Sequence, residues 1–150
     1  MTFYELLLFV HIFSAILGMG PGFVMIFVVK KATTMTELRH AYAIRNQLHI
    51  FVMIGGTLLL ITGLIMGFLN PALFKQGWYI LSLTLYLIAL AFGPILLSPK
   101  SKPIKALLKE HKGEDIPKEY TLLANKLFFV ERLENTIFLI VIALMILKPF

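Results

Sequence analysis

The sequence contains no cysteine. Disulfides, zinc–thiolate sites, iron–sulfur clusters and haem attached through Cys are thereby excluded. Charge is also scarce: Asp, Glu, Lys and Arg make up 15 % of the 150 residues, against about a quarter in a soluble domain. No Ser-His-Asp arrangement, HExxH or phosphate loop is present, so no complete catalytic constellation can be drawn. Internal repeats and low-complexity tracts are missing as well. The formal net charge is +6, but nucleic-acid binding has no supporting fold or motif. Apolar residues are plentiful, with 59 % hydrophobic and a mean hydropathy of +0.86. A soluble chain this short cannot bury so much apolar surface. The length suits a single domain.

A spanning helix needs about 20 largely apolar residues. Four runs qualify, at about 3–29, 48–69, 78–97 and 127–147. All are too long for core strands, and β-barrel alternation is absent. Between them lie polar connections at 30–46 and 98–126 and a short one around Asn70-Pro71. Within the second polar connection, Ile104 to Glu110 has apolar residues at helical spacing and suggests a short interfacial helix. The expected fold is an all-α, four-helix transmembrane bundle, antiparallel and up-down, forming one integral membrane domain.

Charge orients it. The connections 30–46 and 98–126 hold 11 of the 14 Lys and Arg residues. The positive-inside rule places them in the cytoplasm and both termini outside, an N-out/C-out topology in a bacterial plasma membrane. The first run has no positive n-region and is too long an apolar stretch for a signal peptide. Tyr4, Trp78 and Tyr79 fit an aromatic belt at the outer ends. The basic connections would lie against lipid head groups, with His40 and His111 solvated in them.

Ionisable groups inside the spans are few, and such groups usually face a bundle interior or a cavity. His11 falls in the outer half of the first span. His49 begins the second, and Glu131, Glu134 and Asn135 lie in the cytoplasmic half of the fourth. The two histidines differ in depth by roughly 20 Å, which argues against both ligating one haem. Arg45 and His49 share a helix face one turn apart, and either could pair with Glu134. The group Arg45, His49, Glu131, Glu134 and Asn135 reads as a structural clasp, or as a proton-relay, transport or quinone head-group site. Arg132 is placed to snorkel toward the cytoplasm.

His11 opens a stretch in which Ser14, Ala15, Gly18 and Gly22 recur at three- and four-residue spacing. Small residues let a helix or a flat cofactor approach closely. His11 as iron ligand, with Ser14 and Gly18 against a porphyrin face, is one expectation; a hydrogen-bonded structural histidine is the other. Pro21 removes a helix hydrogen bond and is expected to kink the span. Gly55-Gly56, Gly63 and Gly67 form a second small-residue stripe. The methionines in the spans make no copper-type pairs and read as core filler.

The first-span histidine and its following glycines, Thr62-Gly63-Leu64-Ile65, and Trp78 opening the third span occur in a recognisable order. On these residues the chain resembles DUF2269, a family of small four-helix bacterial membrane proteins of unknown function. More distantly it resembles the membrane-embedded haem-binding protoporphyrinogen oxidases and the copper-resistance D family. The resemblance covers nearly the whole chain and implies a fold and a haem site at His11. The oxidases carry an essential Lys four residues after the third-span Trp. Here that residue is Ser82, which argues against protoporphyrinogen oxidation. Three functions follow as expectations: a b-type haem protein of membrane redox chemistry, a non-enzymatic accessory or assembly subunit or homo-oligomer, and proton-coupled transport or relay.

Overall fold

The computed structural model describes residues 1–150. It contains five α-helices and no strands. Helix α1 runs Phe3–Lys30, α2 Met35–Leu69, α3 Gly77–Phe92, α4 Ser98–Glu110 and α5 Lys118–Leu147. A 3-10 turn, Pro71–Lys75, joins α2 to α3, and a π-helical segment, Gly93–Leu97, carries α3 into α4. Thr2 begins α1 with a reciprocal cap: its hydroxyl accepts from the Glu5 backbone amide, and the Glu5 carboxylate accepts from the Thr2 amide. Pro21 does not end α1, which stays helical to Lys30. Thr34 caps α2, its hydroxyl accepting from the Glu37 amide at 3.2 Å, while the Glu37 carboxylate accepts from Thr33. At Pro94 the missing amide proton frees a carbonyl, and the backbone widens into the π turn there.

Helix α1, helix α2 and the continuous helical stretch Gly77–Glu110 are each long and apolar enough to cross a membrane. Helix α5 falls short because Glu131, Arg132 and Glu134 sit in its apolar half, yet it runs beside α3 as the fourth member of the bundle. Large apolar side chains such as Phe9, Phe13, Ile16, Phe27 and Ile50 lie exposed around the outside. Such a surface is untenable in water and natural against lipid chains.

The polar connections differ most from expectation. Residues 30–46 and 98–126 are largely helical, and the non-helical links are only 31–34 and 111–117. Helix α2 extends three turns beyond its apolar run, and its 35 residues span about 52 Å. Its extension buries Met35, Leu38, Ala41 and Tyr42 against Ile104 and Leu108 of α4 and Tyr120, Ala124 and Leu127 of α5. The apolar stripe of α4, Ile104 and Leu108, is therefore covered by protein. Arg39 ties the two helices together, donating to the carbonyls of Leu108 at 2.8 Å and His111 at 2.5 Å. These carbonyls belong to the last turn of α4, where a cation is favoured.

Within the membrane the helices divide into two pairs. Helix α1 packs chiefly on α2, and α3 chiefly on α5. A second core of Met19, Leu59, Tyr86, Ala89, Phe138 and Val141 joins the pairs across the middle.

Candidate functional site

The contact between α1 and α2 determines what His11 can do. The two backbones cross at Gly18 and Gly55-Gly56, so closely that a β-carbon on Gly18 would sit 2.6 Å from the Gly56 nitrogen. Ser14 is completely buried one turn away and donates to the Val10 carbonyl at 2.6 Å. The groove expected to receive a porphyrin face is thus filled by α2. Ser14 and Gly18 are packing residues, and neither lines the cavity beside His11.

His11 lies two turns from Gly18, where the pair of helices begins to open. Its Nδ1 is 2.8 Å from the Thr62 hydroxyl oxygen. That hydroxyl has one proton, which it donates to the Leu58 carbonyl at 2.7 Å. With the Thr62 proton assigned to that carbonyl, the oxygen accepts from His11, which corresponds to the tautomer with the proton on Nδ1 and the lone pair on Nε2. Gly63 makes room for this ring: a β-carbon there would meet His11 Cε1 at 3.1 Å. Thr62 lies thirteen residues along α2 from His49 (62 less 49), about 20 Å apart, so the two histidines are at different depths.

Beside His11, between the two helix pairs, is a cavity of about 920 Å³. Of its 25 lining residues 19 are hydrophobic, including Met19, Met66 and Met145. Two tyrosines hold the pairs apart at a fixed spacing. Tyr79 donates to the Gly63 carbonyl at 2.8 Å and Tyr86 to the Gly56 carbonyl at 2.7 Å, both from α3 to α2. Tyr79 is therefore buried and bridges helices, rather than standing in an aromatic belt. Ser82, one turn from each tyrosine, also lines the cavity. It is 0 % exposed and its hydroxyl has no hydrogen-bond partner. Trp78 and Lys148 lie at the cavity end nearer the termini.

The second polar group lies toward the basic end and is not the one expected. Arg45 pairs with Glu131, leaving Glu134 unengaged. The guanidinium reaches both carboxylate oxygens, with Nη1 at 3.3 Å from Oε2 and 3.4 Å from the Met25 carbonyl. It lies over the rings of Tyr42 and Phe128 at 5.4 and 5.9 Å. Both charged side chains are 11 % exposed. Asn135 donates to the Gly22 carbonyl at 3.2 Å, just past Pro21. Arg45 and Asn135 therefore both anchor the α1 backbone. His49 lies on the exposed face of α2, within electrostatic range of Arg45, Lys105 and Glu131 but bonded to none of them. Glu134 is partly buried near Tyr86. No three His, Cys, Asp or Glu side chains converge as a metal site.

The sequence pointed to His11. Thr62 entered only within a four-residue element, Tyr86 not at all, and Lys148 only in the charge count. Their roles depend on which carbonyl or ring lies opposite, which helical spacing does not specify. A search among curated proteins finds no match, and neither does one among solved structures. The family model described as "Predicted integral membrane protein (DUF2269)" matches residues 5–149. With nearly its whole length matched, the chain belongs to the DUF2269 family of integral membrane proteins.

Proposed function

We propose that this protein holds one lipophilic molecule inside the membrane, with His11 as its polar anchor, and that haem b is that molecule. The supporting observation is the proton count at His11. Thr62 is placed to accept a hydrogen bond from Nδ1–H, the tautomer that leaves Nε2 as the free donor nitrogen of a residue lining an apolar cavity. A hydrogen-bonded second nitrogen is the usual arrangement behind a ligating imidazole. The donor set suits haem: one neutral imidazole, thioethers among the lining residues and otherwise apolar walls. Haem bound there would supply one-electron chemistry within the bilayer. The chain's own part is to orient the His11 ring through Thr62, admit it against Gly63, and exclude water with the Leu, Ile and Phe walls. In this reading the basic end faces the cytoplasm of a bacterial plasma membrane, and the cavity lies in the outer half.

An absorption spectrum of protein purified from haem-replete cells tests the proposal. We expect a Soret band that His11→Ala abolishes while the helical circular dichroism is retained. For Thr62→Val we expect haem affinity to fall about 10–100-fold, the usual cost of losing such a partner. A colourless wild-type protein would overturn the reading. A relay through His49, Glu131 and Glu134 has less support, because Arg45 already neutralises Glu131 and His49 faces outward.

A further inference from the structure

A groove of about 280 Å³ runs between α2 and α4 at the basic end of the molecule. Arg39 from α2 and Lys105 and Lys109 from α4 line it, and no acid does. Lys105 and Lys109 are one helical turn apart, where like charges repel. None of the three has an acidic residue three or four positions away in its own sequence. None takes part in an ion pair. Arg45, six residues further along α2, has Glu131 as its counterion; this groove has no counterion from the chain. Arg39 is held in place, because its Nε and Nη2 donate to carbonyls at the end of α4, and Nη1 is left for a further acceptor. Tyr42 and Leu108, both buried, lie between the charges.

The depth of the groove is the second observation. Asn46 lines its inner end, two residues or about 3 Å before the second apolar run begins at Leu48. Lys105 is near the same end, within electrostatic range of His49. Arg39 lies seven residues, or about 10 Å, further from the apolar run than Asn46. Lipid head groups occupy about 5–7 Å on each side of the hydrocarbon. The groove thus begins where the hydrocarbon ends and crosses the head-group layer. A phospholipid is already at that level, whereas a soluble anion has to enter it from water.

We infer that this groove binds the head group of an anionic phospholipid from the adjoining leaflet. The phosphate lies at Lys105 beside Asn46, and the acyl chains continue along the apolar part of the bundle. Arg39 and Lys109 hold positive potential over the outer part of the head group. That potential repels the terminal ammonium of a zwitterionic lipid, so net negative lipids are selected. The site is at the opposite end of the bundle from the His11 cavity and does not depend on what that cavity holds.

The full chain in dodecyl maltoside micelles would be titrated with phosphatidylglycerol, phosphatidylcholine and inorganic phosphate, and bound molecules counted by native mass spectrometry. The two lipids share a phosphodiester and differ in the ammonium. We expect one phosphatidylglycerol site about tenfold tighter than any phosphatidylcholine site. Lys105→Gln with Lys109→Gln should abolish this preference, and Lys105→Arg with Lys109→Arg should keep it. Both lysines are exposed, so helical circular dichroism should be unchanged in either variant. Lys31→Gln with Lys112→Gln removes the same charge from the same end outside the groove and should also keep the preference. Equal binding of the two lipids, including none of either, would overturn the inference. So would a preference that survives the paired Gln variant of the groove, or one that the Lys31 and Lys112 variant reduces equally. Inorganic phosphate binding as tightly as phosphatidylglycerol would make this a site for a free anion and overturn the lipid assignment.

Discussion

Arg45 and Glu131 show how a charge is tolerated at this depth. Each alone would be an uncompensated ion in low dielectric. Together they share two contacts and leave little hydrogen-bonding capacity unused, since the guanidinium also reaches the Met25 carbonyl and two aromatic faces. The desolvation cost still offsets much of the attraction, so the pair is better understood as setting the docking of α2, α5 and α1 than as a large source of stability. Removing one member leaves the other buried and unpaired. Glu131→Leu or Arg45→Met alone should therefore destabilise the bundle by about 3–5 kcal/mol. The double substitution should lie near wild type or above it. Denaturation in mixed micelles of each single variant and the double variant measures this, and additive losses would refute the clasp.

At the level of helices, apolar run length was enough to locate the three helices long and apolar enough to cross a membrane, because hydrocarbon thickness sets their length directly. It did not reveal that α2 and α4 continue into a second core. Residues 35–46 and 98–110 carry Lys and Arg at nearly every turn and look like solvated loops by composition. Five of their apolar positions, Met35, Leu38, Tyr42, Ile104 and Leu108, are buried, while Ile44 is exposed. The stripe was visible for Ile104 to Glu110, but the partner covering it was not, since pairing between distant segments has no local signature. The Gly18 motif shows the opposite error. Small-residue spacing correctly marked a close approach, but helix and cofactor need the same surface, and here α2 occupies it. Gly18→Val should force the crossing apart, because its β-carbon would sit well inside van der Waals contact with the Gly56 backbone. His11 and Thr62 belong to the same α1–α2 interface, so any chromophore at His11 should weaken along with helix packing. Spectra and unfolding of this variant would show both losses; a stable protein with an unchanged spectrum would contradict the coupling.

For the bundle as a whole, the two helix pairs and the uneven charge support one functional geometry. The core around Met35, Leu38 and Ile104 and most of the Lys and Arg residues gather at one end, while the cavity, both termini and Lys148 lie toward the other. If the positive-inside rule governs this chain, a molecule in the cavity is reached from the outer leaflet and is separated from the cytoplasm by the Arg45–Glu131 clasp. The absence of cysteine makes this directly testable. Single substitutions Lys75→Cys, in the α2–α3 connection, and Lys112→Cys, in the α4–α5 connection, place one thiol at each end. In intact spheroplasts a membrane-impermeant maleimide should label Lys75→Cys at once and Lys112→Cys only after lysis. The reverse pattern would put the cavity in the cytoplasmic leaflet.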